Sequence, residues 1–260
     1  MNLPYYIIDA FTDQVFGGNP AAVCPLQEWL SAELMQRLAA ENNLSETAFF
    51  VQEEDQFHIR WFTPEYEIDL CGHATLASAY VIFNELNYEK DIITFTCKSG
   101  LLEVKSKGDL IELNFPARMP IATEIPEALL KGLSIAPQKV LKSRDYFLVY
   151  NSEEEVRNVV ADFNYLNQLQ DTIGIIVTAR GNDVDFVSRF FVPNSVIGED
   201  PVTGSAHSTL IPYWSQQLNK DVLSALQVSK RLGKLQCEYL GERVLMAGQG
   251  VLYAKGEYTI

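Results

Sequence analysis

The feature that most constrains this chain is a repeat. Arg60-Trp61-Phe62-Thr63-Pro64 returns as Arg189-Phe190-Phe191-Val192-Pro193, 129 positions later in a chain of 260 residues. After each copy a loop ends on a glycine, Gly72 or Gly204, and these glycines, 132 positions apart, each open a strongly apolar segment. Strand, proline, loop, glycine, apolar helix and further strands therefore occur twice in one order, which points to two similar domains rather than a single core. The competing reading is chance, because this succession of elements is common and loop lengths vary widely.

Residues 72–86 carry Ala74, Leu76, Ala77, Ala79, Val81, Ile82 and Phe83, apolar on nearly every side, so the pattern predicts a helix enclosed by other elements. Residues 204–218 repeat it with Ala206, Leu210, Ile211, Tyr213 and Trp214, and Pro212 is expected to kink that helix. A third helix starts at Ser31 and stops at Asn42-Asn43, and Ser152 with Glu155 has capping-box spacing. Strands account for most of the rest: residues 5–10, 22–24, 47–51, 57–63, 92–97, 101–105 and 110–115, then 146–150, 174–179, 184–192, 235–239, 243–247 and 250–258. Pro116, Pro120 and Pro126 mark a boundary, giving domains 1–117 and 118–260, with the last strand free to pack on the first domain. The class is α+β, in two pseudo-symmetric domains, each a rolled, mostly antiparallel sheet around one buried helix.

Composition limits the function classes. With 47% hydrophobic and 21% charged residues the chain can bury a core, and no apolar run reaches the roughly 18 residues of a membrane span. The first residues lack a basic segment followed by an apolar one, so secretion is not expected. Cys24, Cys71, Cys97 and Cys237 have no Cys-x-x-Cys or metal-ligand spacing, and the three histidines complete no metal pattern. A cytoplasmic protein with free thiols and no metal is the simplest reading. The net charge of −14 repels phosphate backbones and anionic membranes, so neither nucleic acid nor membrane is an expected partner. An anionic substrate would need a local positive field.

The glycine thresholds can supply it. A helix N-terminus offers unpaired N–H groups and about half a positive charge. Gly72-His73 and Gly204-Ser205 are the candidates; singly, each is equally an ordinary N-cap, whereas opposed they could hold one small anion. One helix end contributes at most ~2 kcal/mol, whereas catalysis typically needs ~8 kcal/mol or more, so a positioned acid or base is also required. Candidates are Glu46, Cys71, His73, Glu199, Asp200 and His207. Each has a plain alternative: Glu46 as a solvated turn residue, Asp200 as a turn former before Pro201, His207 as a hydrogen-bonded core residue. Cys71, at a helix N-terminus, is expected to have a lowered pKa and act as nucleophile or base, or else to be a small buried hydrophobe.

Residues 16–20, 43–47, 71–75 and 199–207 together resemble the phenazine-biosynthesis (PhzF-like) isomerase family, in order and spacing across essentially the whole chain. The resemblance implies a diaminopimelate epimerase-like fold with its site in the cleft. It further implies Glu46 as the general acid/base that removes and returns a proton, His73 and Asp200 as orienting groups, and Ser205 with the backbone of Gly72 and Gly204 as the carboxylate holders. No metal or organic cofactor is implied. Relatives with two catalytic thiols place a cysteine before each glycine; here Cys71 precedes Gly72 but Thr203 precedes Gly204, so a two-thiol racemase is disfavoured and Cys71 becomes a bystander or lesser contributor at the substrate. The expected protein is a cofactor-independent isomerase, of epimerase or hydrogen-shift type, acting on a small carboxylic or amino acid, with a homodimer as default assembly. A Cys71-dependent amino-acid racemase and a non-catalytic small-acid binding protein are the alternatives.

Overall fold

A run of apolar residues, Tyr5 to Ile8, builds the middle of β1 (Asn2–Ala10), which pairs antiparallel with β2 (Asn19–Leu26) in the computed structural model, which describes residues 2–260. α1 (Ala32–Asn42) then crosses to β3 (Glu46–Glu53), which lies parallel to β2, the arrangement that demands such a crossover. Ser31 caps α1 by accepting from the Leu34 N–H at 3.2 Å, and Asn43 stops it in the left-handed region at φ 50°. β4 (Gln56–Phe62) returns antiparallel to β3 and carries the short β5 (Glu67–Ile68) on its end. After α2 (Gly72–Asn84) come β6 (Ile92–Cys97), parallel to β4, and the antiparallel β7 (Gly100–Lys107) and β8 (Leu110–Pro116).

The second half begins with β9 (Ile121–Ala122), α3 (Glu127–Lys131) and β10 (Lys139–Lys142), which pairs antiparallel with both β9 and β11 (Tyr146–Val149). α4 (Glu153–Asn158) and α5 (Phe163–Leu166) lead to β12 (Ile175–Arg180), parallel to β11. β13 (Phe186–Phe191) is antiparallel to β12 and carries β14 (Glu199–Asp200); α6 (Gly204–Leu218) follows, then β15 (Val222–Gln227), parallel to β13, and the antiparallel β16 (Gly233–Tyr239). β17 (Arg243–Gly248) leads to β18 (Gly250–Thr259), which pairs along β1 from Thr259 opposite Asn2 to Gly250 opposite Ala10. The chain accordingly divides into one unit of residues up to Phe115 with Leu245–Ile260, and another of Pro116–Val244. The C-terminal segment joins the first unit because that pairing gives both edge-forming strands their backbone partners.

One topology occurs in both units: a parallel pair, an antiparallel return with a two-residue strand on its end, a buried helix, a strand parallel to the return, and an antiparallel partner. The repeated Arg-x-Phe-x-Pro motif explains itself locally. Residues two apart on a strand share a face, so Arg60 lies over the Phe62 ring at 5.2 Å and Arg189 over the Phe191 ring at 4.8 Å. Each guanidinium forks onto a carboxylate of the short strand: Arg60 donates to both Glu67 oxygens at 2.8 Å, and Arg189 to Glu199 at 2.8 and 2.9 Å.

α2 packs against β1, β2, β3, β7 and β18, and ten of its residues, from Gly72 to Ile82, are buried. Two of its buried hydroxyls are satisfied inside the helix, Ser78 donating to the Ala74 carbonyl at 2.7 Å and Thr75 to that of Cys71. α6 is equally enclosed: Trp214 stacks on Phe186 with centroids 6.0 Å apart and donates to the Thr178 hydroxyl at 2.9 Å, and Tyr213 meets Phe147 at 4.8 Å. The helix continues through Pro212 to Leu218. Proline has no N–H for the Ser208 carbonyl one turn back, and the Arg118 N–H takes that carbonyl at 2.8 Å. No described helix is long and apolar enough to cross a membrane.

Candidate active site

Because β2 and β3 run parallel, with Ala21 opposite Glu46, their first residues come to the same edge of the sheet. Asn19 and Glu46 stand there, and the N-terminus of α2 brings Cys71, Gly72 and His73 to them. The turn before Asn19 depends on Gly18, whose φ is +57° and whose position for a Cβ lies 2.1 Å from the Ala10 carbonyl oxygen. Only glycine lets the backbone pass so close while feeding Asn19 into the core.

His73 is the hub. Its Nε2 lies 3.0 Å from Glu46 Oε2, while its Nδ1 faces the Asn19 side-chain amide at 3.1 Å and Cys71 Sγ at 3.5 Å. The short His73–Glu46 contact is ionic rather than an aligned hydrogen bond, which leaves Nε2 and Oε2 buried with a hydrogen-bonding direction still unfilled. The His73 side chain is 4% exposed and that of Glu46 15%, so the carboxylate is the member of the pair that a bound molecule can reach. Burial opposes a charged His73, but Cys71 and Glu46 outweigh it and hold the imidazolium well above the ordinary histidine value. The charge behind that effect at neutral pH is that of Glu46, since the Cys71 thiol stays protonated.

The expected low pKa of Cys71 is reversed. Burial, and then the Glu46 carboxylate, push the thiol up to about 11, against smaller opposing contributions from His73 and the Ala74 backbone. The half-charge of a helix end is too weak to offset full desolvation beside a second anion. Glu46, Cys71 and His73 offer donor atoms within 4.8 Å of one another, a spacing that could reach one metal ion. A metal would have to displace the protons that both the thiol and His73 hold firmly, so the donor chemistry fits poorly.

Asp200, Gly204 and Ser205 come together in the second unit. Thr203, the N-cap of α6, donates its hydroxyl to Asp200 Oδ2 at 2.5 Å, and Gln227 donates to the Thr203 hydroxyl at 3.1 Å and to the Asp200 carbonyl at 2.8 Å. Ser205 accepts from Arg144 at 3.0 Å. Neither Cys71 nor Thr203 caps its helix with a side chain, so the first-turn N–H groups of α2 and α6 are not claimed by those residues. Glu199 is committed to Arg189. His207 is a core residue, fully buried, with Nδ1 on the Thr203 carbonyl at 2.8 Å and its pKa lowered to about 4 by burial.

Sequence reasoning missed three polar neighbours. Asn19 lies in Gly-Gly-Asn-Pro, which reads as turn chemistry, although its place inside a segment of family resemblance was a usable signal. Gln227 and Arg144 stand in ordinary strand and turn contexts and carry no signal.

A carboxylate, an imidazole of raised pKa and a helix start without a side-chain cap share one largely buried corner, an arrangement chemically capable of moving a proton, in a diaminopimelate epimerase-like α+β fold. The chain belongs to the phenazine biosynthesis-like (PhzC-PhzF) family, whose model matches residues 8–256. An uncharacterized isomerase of Pseudomonas aeruginosa is 48% identical over 256 residues, covering 98% of both proteins. A crystal structure of a PhzF-family phenazine biosynthesis protein from Enterococcus faecalis superposes with a TM-score of 0.97 at 49% identity, covering 100% of both chains. The fold extends to a hydroxyproline epimerase from Agrobacterium vitis, at a TM-score of 0.60 and 9% identity, covering 98% of this chain and 92% of that one. This chain is an isomerase-type enzyme of the PhzF-like kind.

Proposed function

We propose that this isomerase moves a proton on a small carboxylic or amino acid without a cofactor, as an epimerase or hydrogen-shift enzyme, with Glu46 as the general acid/base. The observation that carries this reading is the pairing of Glu46, the reachable carboxylate, at 3.0 Å with a buried His73, whose pKa is raised. The His73 imidazole, 3.0 Å away, aims the Glu46 carboxylate so that it can take a proton from carbon beside a carboxylate and return it elsewhere or on the opposite face. His73 orients the substrate and assists proton movement, as does Asp200. Gly72, Gly204 and Ser205 hold the substrate's carboxylate through backbone N–H groups and a hydroxyl. Cys71, a protonated thiol, lines the site without acting as base. The cytoplasmic setting and the homodimer belong to the same proposal; the free state of all four cysteines supports the former, and light scattering tests the latter.

The test is incubation with a panel of small carboxylic and amino acids in heavy water, reading deuterium at carbon by mass spectrometry. A true substrate takes up label, Glu46→Gln lowers the rate by roughly 10² to 10⁴-fold, and Cys71→Ala keeps it. Undiminished exchange in folded Glu46→Gln overturns the assignment.

A further inference from the structure

In a chain of net charge −14, arginines need a reason to be half-buried together. Two of them are anchored on the first turns of α6, Arg118 by its backbone N–H and Arg144 by its side chain. The turn between β10 and β11 is fastened to that helix twice, Ser143 to the Thr209 hydroxyl at 3.0 Å and Arg144 Nη2 to the Ser205 hydroxyl at 3.0 Å. Arg144 is braced from behind by Asp145, which is 1% exposed and takes the Nε and Nη2 groups on a single oxygen at 3.0 and 2.7 Å. The other Asp145 oxygen is held by the Gly174 N–H at 3.1 Å. The Nη1 group of Arg144 is left over.

Arg118 reaches the same place by another route. Its backbone N–H occupies the Ser208 carbonyl that Pro212 leaves open, which fixes the residue against α6. Among the described residues its guanidinium has no hydrogen bond and no ion pair, and its pKa is depressed, first by burial and then by repulsion from Arg144, with attraction from Asp145 offsetting only part of this. A half-buried guanidinium beside another, with one shared aspartate for two charges, is an unfavourable arrangement unless an anion completes it.

We propose that Arg118 and the free edge of Arg144, with the Ser205 hydroxyl, are the recognition site for the substrate's carboxylate, so that the enzyme takes free acids and rejects their esters and amides. Two guanidinium forks with unused N–H donors match a planar carboxylate, and Ser205 ties them to the helix N-terminus. The inference rests on the reading of the protein as an acid-handling isomerase and adds the residues that select its substrate class. It also supplies the local positive field that the acidic composition otherwise denies.

Calorimetric titration of the intact protein with malonate, and with malonamide as the uncharged control, tests it. Malonate is expected to bind and malonamide not, and Arg118→Gln and Arg144→Gln each to weaken malonate by about tenfold or more, with Arg118→Lys recovering part of the loss. Arg118 decides the matter should Arg144→Gln unfold by stranding Asp145, because substitution at 118 keeps the backbone bond to Ser208. Absence of malonate binding to the wild type, equal binding of malonamide, or affinity within twofold of wild type in folded Arg118→Gln overturns the site. Glu46→Gln separates the two proposals: malonate binding retained while deuterium exchange is lost supports both, exchange unchanged with arginine-dependent binding rejects the acid/base alone, and arginine-independent binding rejects this site alone.

Discussion

At the scale of single residues, His73 and Cys71 show how burial and charge divide a site between them. Both are buried, yet His73 keeps its proton against burial, with an anion 3.0 Å away, whereas Cys71 keeps its own chiefly because of burial, to which repulsion of a thiolate by the same anion adds. By NMR, the His73 imidazole should titrate well above 6.5, and in Glu46→Gln that value should fall. The linkage has a definite sign. Since the folded value lies above the ordinary 6.5, the pair's stabilisation is complete below about pH 6.5 and is lost as pH rises through the folded value of His73. Denaturation curves of wild type and Glu46→Gln should therefore converge toward alkaline pH, and a constant gap would refute the ion pair. The reversal at Cys71 is the plainest limit of sequence reading at this scale. A cysteine before a helical glycine could be placed correctly, but the depth of its burial and the nearness of Glu46 are tertiary facts. Asn19 and Arg118 escaped for the same reason, one lying within a turn motif and the other in a proline-rich boundary, where local chemistry explains them without reference to a site.

At the scale of elements, the two forked pairs Arg60–Glu67 and Arg189–Glu199 fasten each short strand ahead of the buried helix. Lys98 adds a second cation at Glu67, 3.1 Å away, and the Arg60 fork first and foremost lowers the Glu67 pKa to about 2. The Glu67 contribution to stability is therefore present above about 4.5 and is lost as pH falls toward about 2. Replacing Arg60 by leucine should cost about 1–3 kcal/mol in urea denaturation at neutral pH and flatten the acid limb between those values. Loss of stability without any change in that limb would place the cost in packing against Phe62 instead. The elements themselves were legible where periodicity is long: α2 and α6 stand out as enclosed helices because their apolar residues leave no polar face. β15 did not, since Val-Leu-Ser-Ala-Leu-Gln follows α6 after only a short break and has no turn signal of its own. Its strand conformation comes from pairing with β13 and β16.

At the scale of the molecule, the repeat was readable because it is carried by both side-chain identity and spacing. For the last strand only the option of packing on the first domain was readable; its partner was not, since nothing in residues 250–258 names β1. That pairing has a consequence for how the protein comes into being. During synthesis, the first unit has β1 to β8 in hand long before β18 exists, and one edge of its sheet waits for it while the whole second unit is made. A circular permutant would abolish the wait. Asn2 and Thr259 lie opposite each other, so a short glycine-serine link can join them, and new ends opened at the exposed turn around Gly241, where φ is +80°, make the first unit one continuous stretch. Such a chain should refold in stopped-flow experiments faster than the natural order while keeping its equilibrium stability. In the natural order, the site around Glu46 and His73 is spelled out in the first third of the sequence, and its last supporting strand is the last to arrive.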